Sequence, residues 1–184
     1  MRMHDPFSIW WDRLDISGTD ACRISQHVEG WTLEGTAIFA APETSCLHYR
    51  LDCAPDWTTT QATVSGWVGR LDKGLHIQRG PQGWTCNGAP VAGASGLLDV
   101  DLGFTPASNT NAIRRLDLRI GDSAETTALW LDTEDWTLKP LHQIYTRTGQ
   151  NSYDYASPLH GYRATLITDD FGVVQTYPDL WQVR

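Results

Sequence analysis

The sequence contains very little lysine. Only Lys73 and Lys139 occur among its 184 residues, and the formal net charge is −8 at pH 7. Proteins that bind nucleic acids need a basic surface that neutralises phosphates, and a similar surface attracts proteins to anionic membranes. The shortage of cations therefore predicts that neither nucleic acid nor an anionic membrane surface is a partner of this protein.

Cysteine and long hydrophobic segments are scarce as well. The four cysteines form no Cys-x-x-Cys pair, and no apolar run approaches the length that crosses a bilayer. The first residues, MRMHDPFSIWWD, lack the apolar core of a secretory signal peptide. We therefore expect a cytoplasmic protein with reduced thiols and no membrane insertion. The six histidines are scattered without metal-ligand spacing, so we predict no metal and no cofactor.

Signatures of nucleophilic catalysis and of phosphate binding are missing. There is no Gly-x-Ser-x-Gly elbow and no Gly-rich loop ending in Gly-Lys-Ser/Thr. Sustained helical periodicity is also missing. The best short helical candidate is TPASNTNAI, where Thr105 could cap a turn that Pro106 begins.

The pattern that dominates the chain is an alternation of apolar and polar residues. Leu47 and Tyr49, for example, alternate with His48 and Arg50. About a dozen such segments are separated by turn sequences at roughly 8–12-residue spacing. Short connections favour antiparallel pairing, and a sheet with this many strands must curl, close or split. We therefore predict one all-β domain, residues 1–184, with at most one short helix and a long, mainly antiparallel sheet that curls, closes or splits into two layers.

Aromatic side chains are abundant. Nine tryptophans are spread from Trp10 to Trp181. Large aromatic residues favour the half-buried faces of strands, so most of these positions are expected to belong to the core. Aromatic residues also line apolar or carbohydrate sites. The interior of the curled sheet is therefore either a packed core or a ligand cavity.

The sequence LLDVDLGFTPASNTNAIRRLDLRI indicates two strands, 97–104 and 113–120, joined by a polar loop. Asp99 and Asp101 share one face of the first strand at roughly 7 Å, a separation within the range of about 6.5–9.5 Å between the carboxyl groups of inverting glycosidases. If the two strands pair as a hairpin, these carboxylates instead form a cross-strand ladder of salt bridges with residues such as Arg115. We favour the ladder.

Arg114 falls on the apolar face of the second predicted strand, together with Leu116 and Leu118. A charged group in an apolar stripe needs a partner. Arg114 either binds carbonyl groups of the preceding polar loop, or pairs with a buried carboxylate, or faces a cavity and binds an anionic or hydroxyl-rich head group. The residues leave these interpretations open.

A second polar stripe lies in the sequence LHQIYTR at 141–147. Gln143, Tyr145 and Arg147 share one face of the expected strand, and His142 lies on the other. The stripe either faces solvent or lines a cavity that holds a sugar or water. The first interpretation is the more common one for a polar strand face.

Four stretches carry a family likeness: WWDRLD at 10–15, GWTCNG and LLDVDLGFTPASNTNAIRRL within 83–116, LHQIYTR and YDY within 141–155, and DDFGVVQTYPDLW at 169–181. In them the chain resembles a bacterial family that is described as glycolipid-binding and was long treated as a domain of unknown function. The resemblance implies a spiral β-roll, in which a long antiparallel sheet winds around a helix. The implied glycolipid role rests on shape similarity to lipoprotein-carrier half-barrels, which hold acyl chains in a curved sheet.

We therefore predict a non-catalytic protein that binds a glycolipid or another amphipathic small molecule inside the curled sheet. Some ligand-binding candidates come from the residue patterns and some, such as Asn109, only from the family motif. The full set is Asp99, Asp101, Asn109, Arg114, Arg115, Gln143, Tyr145 and Arg147.

Two alternatives remain. An enzyme, a hydrolase or isomerase acting on a sugar or lipid, is suggested by the acidic pair together with His142 and Tyr145, and it requires Asp99, Arg114 and His142 to converge in one pocket. A homodimer or interaction module is suggested by the two edges that any open sheet must cover.

Overall fold

The computed structural model describes residues 4–40 and 42–184. Within them the chain forms fifteen strands, one α-helix and one short 3₁₀ turn. In chain order these are β1 (Phe7–Arg13), β2 (Gly18–His27), β3 (Gly30–Ala40), β4 (Thr44–Cys53), β5 (Thr59–Val68), β6 (Leu71–Gly80), β7 (Gly83–Cys86), β8 (Ala89–Pro90), β9 (Asp99–Leu102), α1 (Ala107–Leu116), β10 (Ser123–Asp132), β11 (Thr137–Gly149), β12 (Ser152–Ser157), the 3₁₀ turn (Pro158–His160), β13 (Tyr162–Thr168), β14 (Val174–Tyr177) and β15 (Trp181–Val183).

All fifteen strands belong to one sheet, in the order β8-β7-β6-β5-β4-β3-β2-β1-β15-β14-β13-β12-β11-β10-β9. Neighbouring strands are antiparallel, except that β9 runs parallel to β10. The first and last strands pair in the middle of the sheet, with Trp11 opposite Val183. The sheet does not close, because β8 and β9 remain its edges. The predicted long, mainly antiparallel all-β sheet is confirmed.

The sheet curls until its β9 edge meets the beginning of β5. The backbone N–H of Thr59 donates to the carbonyl of Leu98 at 2.9 Å, and the N–H of Val100 donates to Thr59 Oγ1 at 3.3 Å. Strands β6, β7 and β8 continue past this contact. The result is a rolled sheet, as the family resemblance implies.

Strand β4 illustrates how the sequence alternation builds the roll. Leu47, Tyr49 and Leu51 are buried, whereas His48 and Arg50 between them are exposed. Successive side chains of a strand point to opposite faces, so the apolar set turns inward as a group.

The segment 107–116 is a helix inside the roll, so the predicted strand 113–120 and its hairpin with 97–104 are wrong. The first seven helical residues are all buried and four of them are polar, so no apolar stripe marks the helical period. The alternation that suggested a strand covers only the last helical turn and the coil after it. The helical candidate after Thr105 is confirmed, but Pro106 and not Thr105 is the N-cap residue. Thr105 Oγ1 accepts a hydrogen bond from the N–H of Ala107 at 3.0 Å.

The helix and the inward-facing side chains fill most of the interior. Five of the nine tryptophans belong to the buried core, namely Trp11, Trp31, Trp57, Trp84 and Trp181. Trp10 and Trp67 lie on the outer surface, 48% and 40% exposed. No helix in the described part of the chain is long and apolar enough to cross a membrane.

Candidate ligand-binding cavity

An open cavity of about 310 Å³ lies inside the roll at the N-terminal end of α1. Its walls come from β9, from the start of the helix and from inward-facing residues of β10 to β15. The lining combines five aromatic residues with a few polar ones: Trp130, Tyr155, Tyr162, Tyr177 and Trp181, and Asp101, Thr105, Asn109, Ser157 and His160. A concave site with mainly aromatic walls and a few placed polar groups is typical of small-molecule binding.

Three tyrosines form one wall of the cavity. The ring of Tyr155 lies 6.2 Å from that of Tyr162 and 6.1 Å from that of Tyr177, and the last two are 6.1 Å apart. Tyr145 supports Tyr155 from behind at 5.1 Å in an edge-to-face contact. Burial raises the pKa of Tyr155, so its hydroxyl stays protonated. On another side Trp130 lies 5.2 Å from the His160 ring of the 3₁₀ turn.

Asp101 is the one carboxylate among the described residues that line the cavity. Gln143 Nε2 donates to its Oδ2 at 2.7 Å, and Ser108 Oγ of α1 donates to its Oδ1 at 3.2 Å. Burial raises the pKa of Asp101 to about 6, and these two hydrogen bonds only partly oppose that rise. The Gln143 amide also donates to the hydroxyl of Tyr155 at 3.1 Å. One amide therefore orients both the acid and the aromatic wall.

Two further polar side chains of the lining come from α1 and β12. Asn109 Nδ2 donates to the hydroxyl of Tyr145 at 3.0 Å. The hydroxyl of Ser157 is buried and has no hydrogen-bond partner among the described residues. A buried polar atom without a partner is uncommon in native proteins, so Ser157 is an available contact point for a ligand.

Beneath the helix start lies a buried acid that sequence reasoning missed. Both Thr105 Oγ1 and the hydroxyl of Tyr49 donate to Oδ2 of Asp20, the second at 2.9 Å. Burial raises the pKa of Asp20 to about 6, whereas the two hydrogen bonds lower it. A signal was present, because Asp20 shares the inward face of β2 with Cys22 and Ile24. A carboxylate in an apolar stripe needs a hydrogen-bond partner, as a guanidinium does.

Asp99 and Arg115 form a buried ion pair between β9 and the helix. Arg115 Nε and Nη2 donate to the two carboxylate oxygens at 2.7 and 2.5 Å, and Nη2 also donates to Thr126 Oγ1 at 2.8 Å. The Asp99–Arg115 pair of the predicted ladder does form. The cross-strand ladder itself is wrong, because Arg115 lies on a helix, Asp101 faces the cavity, and Arg119 pairs with Asp122. The pair fixes the helix against the sheet edge and does not line the cavity.

Arg114 closes the opposite end of the helix. Its Nη1 donates to the carbonyl of Phe171 at 3.1 Å, and its guanidinium lies 4.7 Å from the Phe171 ring centre and 5.5 Å from that of Trp57. Asp169 shapes the turn that presents this carbonyl by accepting three backbone N–H bonds. A Cβ at Gly172, where φ is +101°, would lie 3.3 Å from Arg114 Cδ. Carbonyl binding is thus the correct interpretation, but the carbonyl is not in the loop before the helix.

Arg147 lies beside Arg114 in a cleft of about 50 Å³. It donates to the carbonyls of Leu118 at 2.8 Å and Gln150 at 2.7 Å. The stripe 143–147 is therefore divided between the two ends of the helix. Gln143 and Tyr145 are buried at the cavity end, so the solvent-facing interpretation is wrong for them. Arg147 lies at the other end.

The three residues that the enzyme hypothesis requires together do not converge. Asp99 bonds Arg115, Arg114 bonds Phe171, and His142 bonds Glu125 Oε2 at 3.0 Å on the outer face. Among the described residues, no three His, Cys, Asp or Glu side chains are grouped so that they could hold a metal ion.

Comparisons with known proteins extend over nearly the whole chain. The model of a family described as "Putative glycolipid-binding" matches residues 8–183. A crystal structure of a DUF1089 family protein from Pseudomonas aeruginosa is similar with a TM-score of 0.71 and 26% identity, over 97% of this chain and 92% of that one. No curated protein matches the chain. From the extent of the family match, the chain belongs to the family described as glycolipid-binding.

Proposed function

We propose that this protein binds an amphipathic ligand such as a glycolipid in the cavity at the N-terminal end of α1, without catalysing a reaction. The observation that supports this most strongly is the cavity itself. It is open, it lies inside the curled sheet, and it combines aromatic side chains with the polar side chains of Asp101, Asn109 and Ser157. The description of the family points to the same ligand class.

The eight predicted site residues take different roles in this proposal. Asp101 and Asn109 line the cavity and contact the ligand, and Gln143 and Tyr145 hold them in place through hydrogen bonds. The other four hold the helix inside the roll and do not touch the ligand, namely Asp99, Arg114, Arg115 and Arg147.

Native mass spectrometry of the purified protein, after incubation with a bacterial glycolipid extract, tests the proposal. We expect a bound amphipathic molecule in the wild type and in Trp67→Ala, because Trp67 lies on the outer face of β5. We expect its loss in Trp130→Ala, which removes part of the cavity wall. Equal retention in both variants, or no adduct in any of the three proteins, would refute the proposal.

An enzyme acting on a sugar is the second candidate, and one observation favours it. Asp101 is a carboxyl group with its pKa raised to about 6 inside an aromatic cavity, an environment suited to a general acid. Glycosidases use two carboxyl groups, and Asp101 is the only one in the described lining. Incubation with nitrophenyl glycosides is expected to release no nitrophenol; release that Asp101→Asn abolishes would favour the enzyme.

We further propose that the protein acts in the cytoplasm as a monomer and takes its ligand up without inserting into a membrane. The net charge of −8 supports weak attraction to anionic lipid surfaces. A dimer formed by pairing of sheet edges would have few free backbone groups, because β8 contains only Ala89 and Pro90 and the β9 edge meets the beginning of β5. Cell fractionation and light scattering check these two statements.

A further inference from the structure

We propose that the cavity holds an uncharged sugar ring of the ligand and that the acyl chain stays outside the roll. This inference rests on the proposed function and names the part of the ligand that enters. It differs from the half-barrel analogy, in which the curved sheet encloses the acyl chains.

In the described part of the chain, the helix fills the centre of the roll, where a half-barrel would hold an acyl chain. Seven consecutive residues of α1 are buried where the roll would otherwise be hollow. Phe104 and Leu131, which do not line the cavity, are fully buried in the same core. The cavity at the start of the helix, about 310 Å³, lies at the lower end of the range of roughly 300–1,000 Å³ for small-molecule pockets. The space suits a compact group better than a long chain.

The aromatic wall suits a sugar ring. Tyr155, Tyr162 and Tyr177 lie within about 6 Å of one another, and Trp130 and Trp181 complete the lining. The face of an aromatic ring carries partial negative charge, and the C–H groups on one face of a pyranose carry partial positive charge. A flat sugar can therefore pack against these rings while its hydroxyl groups point along the ring plane.

The charges of the cavity disfavour an anionic head group. No arginine or lysine is found in the lining formed by the described residues, where the ionisable groups besides the tyrosines are Asp101 and His160. Phosphate and carboxylate groups are usually bound by arginine or lysine. The two arginines of the helix, Arg114 and Arg115, already donate hydrogen bonds to the carbonyl of Phe171 and to Asp99. Arg147 beside the helix donates to the carbonyl of Leu118. An uncharged, hydroxylated group fits this environment.

The polar side chains of the lining offer both hydrogen-bond donors and hydrogen-bond acceptors. The hydroxyl of Tyr155 accepts a bond from Gln143, so its own proton remains free to donate to the ligand. The hydroxyl of Ser157 has no partner among the described residues. Asp101 adds carboxyl oxygens to the same lining. These groups match sugar hydroxyls, which both donate and accept, and an alkyl chain would leave them unpaired.

Isothermal titration with matched probes tests the inference. The probes are methyl and octyl glycosides of glucose, galactose, mannose and N-acetylglucosamine, together with decanoic acid. Each buried methylene adds about fourfold to affinity, so burying an octyl chain would add on the order of 10⁴-fold. We expect the methyl and octyl glycosides of the preferred sugar to bind within about tenfold of each other, and decanoic acid to bind far more weakly or not at all.

Tyr155→Phe and Tyr153→Phe provide a matched pair that locates the binding. Both tyrosines are buried on β12, but only Tyr155 lines the cavity, whereas Tyr153 lies beside Arg147. Loss of one hydrogen bond should weaken methyl glycoside binding roughly three- to tenfold in Tyr155→Phe and leave it unchanged in Tyr153→Phe. Thermal unfolding confirms that both variants are folded.

The outcomes separate the two proposals. If octyl glycosides or decanoic acid bind but methyl glycosides neither bind nor compete, the sugar-ring inference is wrong and amphiphile binding stands. The inference is also wrong if Tyr155→Phe and Tyr153→Phe bind methyl glycoside alike. If no probe binds, both the inference and the proposed function fail.

Discussion

At the N-terminal end of α1 the roll keeps an open cavity beside two buried acids, whereas at the C-terminal end arginine side chains close the interior. Asp20 and Asp101 lie near the first end, and burial raises the pKa of each to about 6. Arg114 and Arg147 lie at the second end, where they bind backbone carbonyls. The second end thus leaves only a cleft of about 50 Å³, whereas the first leaves an open cavity of about 310 Å³.

At the start of the helix, removal from water is the largest influence on the pKa of Asp20. A helix N-terminus favours a nearby negative charge by about 0.3–1 kcal/mol, which would lower the pKa of an acid such as Asp20. Removal from water costs a buried charge several kcal/mol. The pKa of Asp20 is raised, so desolvation outweighs the hydrogen bonds from Thr105 and Tyr49 together.

The largest expected effect concerns the ion pair between Asp99 and Arg115, which holds the helix against the sheet. Arg115→Met leaves Asp99 buried without its partner, and the side chains of the pair are only 15% and 2% exposed. We expect the free energy of unfolding in urea to fall by about 3 kcal/mol. Arg119→Met is the control, because the Arg119 side chain is 89% exposed and its loss should have no measurable effect. Equal, small effects would show that the buried pair does not anchor the helix.

Asp20→Asn tests the buried acid at the open end. The pKa of Asp20 is about 6 in the folded protein and near 3.8 when unfolded, so the wild type loses stability as pH rises from about 4 to 6. Asparagine keeps the oxygen that accepts from Tyr49 and Thr105 but cannot ionise. Relative to the wild type, the variant should therefore gain about 2 kcal/mol between pH 4 and pH 7. Urea unfolding at both pH values measures this gain; a difference independent of pH would contradict it.

Arg114→Met tests the closed end. It removes a charged hydrogen bond to Phe171 and cation–π contacts with Phe171 and Trp57, so unfolding should become easier by about 1–2 kcal/mol. Because Arg114 lies away from the cavity, affinity for an octyl glycoside should not change. Weaker binding in Arg114→Met would mean that the arginine end takes part in recognition.

Asn109→Ala is the counterpart at the open end and has the smallest expected effect. Asn109 lines the cavity and positions the hydroxyl of Tyr145. We expect octyl glycoside affinity to fall roughly three- to tenfold, as for the loss of one hydrogen bond. Calorimetric titration measures the change, and unaltered affinity would place the ligand elsewhere.

The sequence predicted the sheet well because a strand's period of two is visible wherever one face is buried. Leu47 and Tyr49 against His48 and Arg50 show this in β4. The helix was mostly missed because its buried residues include the polar residues Ser108, Asn109, Thr110 and Asn111. Three of them, Ser108, Asn109 and Asn111, make side-chain hydrogen bonds in the interior. Residue type alone does not reveal such burial.

The candidate site was predicted in part. Asp101, Asn109, Gln143 and Tyr145 do come together at the cavity end, although Asp101 and Gln143, which share a hydrogen bond, are 42 residues apart along the chain. Ser157, His160 and Trp181 were not foreseen as cavity residues, because their proximity depends on how β12 to β15 follow the curl. Spacing along a strand indicates a face, but the curvature of a fifteen-stranded sheet decides which faces meet.

The most direct test compares tryptophan indole N–H signals in an NMR titration with an octyl glycoside. Trp130 and Trp181 line the cavity, whereas Trp57 and Trp31 stack together near Arg114 at the other end of the helix. We expect the signals of Trp130 and Trp181 to shift with ligand concentration and those of Trp57 and Trp31 to stay in place. Shifts confined to Trp57 and Trp31 would contradict the assignment of the ligand to the open end.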